Sequence, residues 1–213
     1  DSPQVVKRNI FPKVLNDIRL YYIEYFDCFM NQKNSIGLNS CFMDLDDPHE
    51  LFKKWMTEAE KKEINDPNAF SLATISKSNK PDVRMILLKG ISSKGFVFYT
   101  NLNSPKSLDL KDNPEAAMCF HWKSLQRQIR ILGRVVKVME EEADLYFNKR
   151  SYESRIGAWA SEQSKVMNKR KELIKKIEDF KKKYKDAKSV PRPPHWSGWC
   201  LRPSSLEFWL HKD

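Results

Sequence analysis

Tyr146, Arg150 and Ser154 recur at intervals of four in the stretch YFNKRSYES. On a single helix that spacing lines a phenol, a guanidinium and a hydroxyl along one face. Alternatively, Ser151 closes one helix and opens a second, with Ser154 in its first turn. All three side chains donate hydrogen bonds and one is permanently charged, so the stripe suits an anion as well as it suits water. In RMILLK, Arg84 and Lys89 bracket Met85, Ile86, Leu87 and Leu88. An offset of five puts the two cations on opposite faces of a regular strand, so a shared pocket requires a bulge, a twist or a long lysine reaching round an end. In FYTNLNSPKS, Tyr99 and Thr100 end a strand, Ser104 reads as a helix N-cap and Pro105 as the first helical residue. Helix-start amides beside Lys106 would receive an anion, although a capped helix with one surface lysine accounts for the same residues. LQRQIRILG alternates Gln128 and Arg130 with Ile129 and Ile131, which gives its strand one polar face. Downstream of the opening stripe lie Gln163 and Ser164. Taken singly, each group is also explained by a solvated surface.

The elements that must position these groups are mostly β. FSLATISK (70–77), VRMILLK (83–89), GFVFYT (95–100), EAAMCFHW (115–122) and QRQIRILGRVVKVM (126–139) are rich in branched and aromatic residues. Turns such as Ser78-Asn79-Lys80-Pro81, Ser92-Ser93-Lys94-Gly95 and Asn113-Pro114 separate them. Connections this short favour antiparallel neighbours, hence a meander or barrel. Helices are expected after Asp47-Pro48, over 104–112, over 140–150, over 156–161 and over 165–185. GWCLRP and LEFWL read as two final strands. Before Asp47 the signals are mixed; DIRLYYIEYFDCFM could be a helix packed on the main body. The expected organisation is α+β and mainly β, with an extension of unclear role over 1–46 and one domain over 47–213.

Composition removes several classes. None of the six glycines forms a G-x-G-x-x-G or a G-x-x-x-x-G-K-S/T loop, which argues against a Rossmann site and a P-loop. Cys28, Cys41, Cys119 and Cys200 are far apart, and no Cys/His spacing suits zinc. Scattered thiols fit a cytoplasmic protein, although the first residue is not Met and a preceding targeting peptide is compatible with that. No apolar run reaches the length of a bilayer span. The formal charge of +10 invites a nucleic-acid reading, but ten Lys/Arg against three Asp/Glu lie in 165–185 alone. Val166, Leu173, Ile177, Phe180 and Tyr184 give that segment an apolar stripe, so its lysines read as a wet helix face and no nucleic-acid partner is expected.

The order of the motifs says more than any one of them. RMILLK, FYTN, SPK, NPEA, FHW, LQRQ, YFNKRSYESRIGAWASEQS, PRPPHWSG and EFW, running from about Asp47 to Trp209, resemble the pyridoxamine 5'-phosphate oxidase family. The resemblance implies an antiparallel FMN-binding split β-barrel with peripheral helices, working as a homodimer with FMN between subunits. It implies oxidation of pyridoxamine or pyridoxine 5'-phosphate to pyridoxal 5'-phosphate, with O2 reduced to hydrogen peroxide. Carried over by position, the FMN contacts are Arg84, Met85, Ile86, Leu87, Leu88, Lys89, Tyr99, Thr100, Ser104, Lys106, Gln128, Gln163, Ser164 and Trp209. Lys89, Tyr146, Arg150 and Ser154 correspond to the holders of the substrate phosphate. His211 aligns with a substrate-contacting histidine, and His211 and Lys89 are the positions nearest the chemistry. Two departures stand out. Pro105 occupies a place where the family usually has arginine, and the family's R-x-H-x-R element follows EFW without either arginine, a junction that points to omitted residues. The alternative expectation is a flavin or B6-phosphate binder without oxidase activity.

Overall fold

The computed structural model describes residues 5–8, 20–23, 47–167 and 169–210, with the backbone alone for the first two stretches. Helix α1 (Pro48–Lys62) starts where the sequence marks it: Asp47 caps it by accepting from the His49 amide at 2.8 Å, and Pro48 takes the first turn. Its buried positions Leu51, Phe52, Trp55, Met56 and Ala59 form one apolar stripe.

That stripe fills the concave side of a seven-stranded antiparallel sheet. The strands are β3 (Ala69–Ile75), β4 (Pro81–Leu87), β5 (Gly90–Ser92), β6 (Gly95–Asn101), β7 (Glu115–Trp122), β8 (Arg127–Lys137) and β9 (Trp196–Leu210). Their spatial order is β4-β3-β7-β8-β9-β6-β5, and every neighbouring pair runs antiparallel, so the sheet curls into a half-barrel. Phe52 meets Phe96 and Phe120 edge-on with centroids 4.9 and 5.1 Å apart, and Trp55 meets Phe208 at 5.3 Å. Val5–Arg8 (β1) and Leu20–Ile23 (β2) pair as a separate antiparallel ribbon.

Helices lie around the sheet: α2 (Pro105–Asp112) follows β6, while α3 (Glu140–Lys149), α4 (Tyr152–Ala160) and α5 (Arg170–Lys183) connect β8 to β9. Half-buried Ile177, Phe180 and Tyr184 join the cluster that includes Tyr152 and Trp159 of α4, which leaves the lysines of α5 in water. No described helix is long and apolar enough to cross a membrane.

The mainly β, antiparallel expectation is met, with four local corrections. The two expected final strands are one strand, because a bulge between Leu132 and Gly133 shifts the register where Pro203 passes. Part of the stretch expected as an N-terminal helix, Leu20–Ile23, is a strand; its remainder lies outside the described residues. The basic helix begins at Arg170 rather than Lys165, and Val166 is 96% exposed, because the chain turns at Glu162–Lys165 with Ser164 left-handed at φ 67°. Finally, α4 begins at Tyr152 rather than Ile156, because Ser151 caps it.

Phe52 is fully buried between three strand aromatics, so truncation opens a cavity that these rigid rings cannot collapse into. Phe52→Ala should lower the unfolding free energy by about 3–5 kcal/mol in urea titration, without a change in the slope of that transition.

Candidate functional site

Burial at the end of β6 organises the site. Lys106, in the first turn of α2, is only 5% exposed; its ammonium donates to Thr100 Oγ1 at 3.3 Å and to Ser104 Oγ at 3.1 Å. Burial holds its pKa below the usual lysine range, and the nearby Arg84 charge pushes the same way against a smaller pull from Asp82. Ser104 sits at the N-cap of α2 but does not cap it: its hydroxyl donates to Asn101 O at 2.7 Å and accepts from Lys106. The Thr100 hydroxyl donates to Gln163 Oε1 at 3.3 Å, and the Asn101 amide reaches the same oxygen at 3.4 Å. Arg84 points to the same end of the sheet, donating to Leu72 O, Thr74 Oγ1 and Asp82 Oδ2 at 3.1, 2.7 and 2.5 Å.

The Tyr146–Arg150–Ser154 stripe is split between two helices. Arg150 has the extended angles φ −74°, ψ 151° and closes α3; Ser151 then caps α4, accepting from the Ser154 amide at 3.4 Å. Arg150 and Ser154 nevertheless line one cavity, with Tyr146 behind its wall. A cavity of about 340 Å³ is lined by Tyr99, Thr100, Asn101, Arg150, Ser154, Gly157, Ala158, Ser161, Gln163 and Trp196. Tyr146 backs it, stacked on Tyr99 with centroids 4.1 Å apart and planes 3° from parallel. Arg150 lies over the Trp196 ring at 4.8 Å and the Phe147 ring at 5.7 Å. Its Nη1 is buried without a hydrogen-bond partner, and burial lowers its pKa.

Among the described residues no acidic side chain lines this cavity, which combines a half-buried cation, hydroxyls and two carboxamides. That donor set fits an anionic ligand with a planar or polar body. Gly157 leaves space: a Cβ built there meets nothing within 4 Å. Burial, then the Glu142 charge, raise the Tyr99 pKa to about 12, so its phenol stays protonated at neutral pH. Tyr146 is raised as well, by burial, against the opposing Arg150 charge.

The remaining sequence candidates lie elsewhere. Ile86 is half-buried against the core and Leu88 is in it. Met85 and Leu87 are exposed on the outer face of β4, and Lys89 is exposed beyond the strand, its amide bonded to Val97 O at 2.8 Å. Gln128 and Trp209 are cross-strand partners on that same outer face, half-buried and outside the cavity. Ser164 is exposed beside Gln163, and His211 lies outside the described residues. Sequence reasoning missed Asn101, Gly157, Ala158, Ser161 and Trp196. Each belongs to a motif quoted above, FYTN, YFNKRSYESRIGAWASEQS or PRPPHWSG, and nothing in their types separates a cavity wall from its surroundings.

The residues 56–184 match the family model described as pyridoxamine 5'-phosphate oxidase. The pyridoxine/pyridoxamine 5'-phosphate oxidase of Pelagibacter ubique (strain HTCC1062) is 62% identical over 181 residues, covering 85% of this chain and 87% of the relative. That of Maricaulis maris (strain MCS10) is 55% identical over 166 residues, covering 78% and 74%. Among solved structures, PhzG from Burkholderia lata 383, in complex with tetrahydrophenazine-1-carboxylic acid, superposes with a TM-score of 0.77 at 26% identity over 84% of this chain and 87% of that one. A pyridoxamine 5'-phosphate oxidase-related, FMN-binding protein from Nostoc punctiforme PCC 73102 shares the fold, with a TM-score of 0.61 at 14% identity over 78% and 86%.

One glycine sets the aromatic wall. Gly198 of β9 pairs with Tyr99 of β6, and a Cβ there would lie 2.7 and 2.8 Å from the Tyr99 ring and 3.0 Å from Val138 Cγ2. The ring has no retreat, since Tyr146 stacks on it. Gly198→Ala should therefore cost about 1–3 kcal/mol in urea unfolding and change the near-ultraviolet circular dichroism of the tyrosine stack.

Proposed function

This chain belongs to the pyridoxamine 5'-phosphate oxidase family, and on that footing we propose that it is an FMN-dependent oxidase. It converts pyridoxamine 5'-phosphate, with water consumed and ammonia released, or pyridoxine 5'-phosphate to pyridoxal 5'-phosphate, with dioxygen reduced to hydrogen peroxide. The observation that carries the substrate half of this reading is Arg150 Nη1, buried and, among the described residues, unpartnered beside a cavity that no described carboxylate lines. A phosphate monoester supplies the missing acceptor and the missing negative charge at once. The Ser154 hydroxyl and the first-turn amides of α4 add neutral donors, and the Tyr146 phenol is kept protonated by burial.

FMN would be held through its phosphate by Lys106, Thr100 and Ser104, with Arg84 behind them, and through Gln163 and Ser164. When bound, it supplies a two-electron acceptor for the hydrogen at the substrate C4' that dioxygen can reoxidise. The protein's own part is to orient and to exclude water. Lys106 takes over the charge that Pro105 does not provide. The family's other FMN positions, Met85, Leu87, Gln128 and Trp209, share one face of the sheet by register, together with exposed Val83 and Leu132. We assign that face to a second copy of the chain, so that each cleft draws residues from both subunits of a homodimer. Lys89, exposed at the end of β4, and His211 are the proposed residues nearest the reacting carbon. The scattered thiols suit a cytoplasmic setting.

The test is direct. Protein loaded with FMN should be yellow, sediment as a dimer, and form pyridoxal 5'-phosphate and peroxide in equal amounts from pyridoxamine 5'-phosphate in air. A colourless protein that takes up no added FMN would sink the proposal. Arg150→Ala should raise KM for pyridoxamine 5'-phosphate about ten- to a hundredfold while leaving FMN content near wild type, the cost of losing one charge-assisted contact. Lys106→Met should do the reverse, loosening FMN with a smaller effect on KM.

A further inference from the structure

Arg155 is a buried cation that plays no part in the site as described. It lies on α4 and is 7% exposed. Its guanidinium is spent on main-chain carbonyls: Nε donates to Arg150 O at 3.0 Å, Nη1 to Ala187 O at 2.5 Å, and Nη2 to Asn148 O. Among the described residues it forms no ion pair with a carboxylate. Burying a guanidinium without a counter-charge is costly, and an apolar side chain would fill the same space beside Phe147 and Ile156 without that cost.

The partners indicate what the charge is for. Asn148 and Arg150 carry two of the orphan carbonyls at the C-terminus of α3, and Ala187 belongs to the turn after α5. Arg150 itself is neither in α3 nor in α4; its own amide is tied only to Phe147 O at 3.1 Å. Rotation about its ψ would swing the side chain off the Trp196 ring and out of the cavity. The Arg155 fork grips the carbonyl on the far side of that rotatable bond and fastens it to a third segment. From this we infer that Arg155 is a positioning residue: it locks the α3–α4 break so that Arg150 is already set for its anion before the ligand arrives. The inference rests on the reading of Arg150 as the holder of the substrate phosphate.

The experiment is steady-state kinetics of FMN-loaded enzyme with pyridoxamine 5'-phosphate, comparing wild type, Arg150→Ala, Arg155→Met and Arg155→Lys. Arg155→Met should raise KM about tenfold, keep kcat within about twofold and keep wild-type FMN content, because only the ground-state setting of Arg150 is lost. Arg155→Lys, which keeps one donor head but not the fork, should fall between. Wild-type KM in Arg155→Met, or a parallel loss of kcat, KM and FMN content, would overturn the inference. If Arg155→Met does not fold, Arg155→Lys decides: a raised KM with wild-type kcat and FMN content supports the clamp, and an unchanged KM refutes it. If Arg150→Ala itself leaves KM unchanged, the phosphate reading falls and the inference with it. If Arg150→Ala raises KM while Arg155→Met does not, the inference alone falls.

Discussion

Positive charge kept away from water and away from carboxylates is the constraint around which one end of this molecule is built. Arg150 rests on ring faces, Lys106 on two hydroxyls and Arg155 on three carbonyls. Other cations are paired with carboxylates, Arg84 with Asp82 at the same end among them. Arg127 meets Glu58 at 2.7 Å, and Arg192 meets both Glu140 and Asp144. The electrostatic outcome differs accordingly. Burial pulls Arg192 down, yet its two carboxylates leave its pKa raised, whereas Lys106 and Arg150 are left lowered. Burying charge with only neutral partners is unfavourable by several kcal/mol per ion in a dry site. Cations held only by neutral partners are the ones with most to gain from an anion.

The rest of the architecture can be read as support for that end. Strand β6 delivers Tyr99, Thr100 and Asn101, and β9 lies beside it with Gly198 bare so that the Tyr99 ring can lie flat. Helix α1 is remote from the cavity, but its aromatic stripe holds the sheet in the curl that brings the β6 end under α4. The lysine-rich helix α5 contributes its apolar side to α4, and its basic face is partly neutralised by Glu162 and Glu153.

Much of this was legible in the residues. Alternation of Ile129 and Ile131 with Gln128 and Arg130, and the branched and aromatic content of the segment from Phe70, marked strands that proved to be strands, because period-two burial is a backbone property. Asp47-Pro48 and Glu140 marked helix starts for equally local reasons. What did not show was non-local. The three-residue β5 is too short to carry a pattern, and nothing near Pro203 announces that β9 runs through it, with Ser204 as the extra residue opposite Leu132 and Gly133. Lys106 is indistinguishable in sequence from a surface lysine; its burial comes with the packing of α2 on β3 and β9, where Asp109 accepts from Thr74 and Ser107 from Trp199. The candidates Tyr146, Arg150 and Ser154 were picked out by type, and Ser151 by the spacing around it as the break between two helices; the Arg155 contacts to Asn148, Arg150 and Ala187 across that break leave no mark in the sequence.

The placement of β9 has a temporal consequence. In the spatial order β4-β3-β7-β8-β9-β6-β5, β9, the last strand described, pairs with β8 on one side and β6 on the other and so joins two groups of strands made earlier. On a ribosome, β3, β4, β7 and β8 can pair as they emerge, and β5 can pair with β6, but the half-barrel cannot close until residues 196–210 are free of the exit tunnel. The core aromatics of β6 and β7 would then sit half-covered for most of synthesis, with the inner edges of β8 and β6 open to strangers. Closure would be late, dominated by contacts far apart in sequence, and correspondingly slow. For such a chain the hazardous interval is the one between making β8 and releasing β9, and it is there that a chaperone would find its substrate.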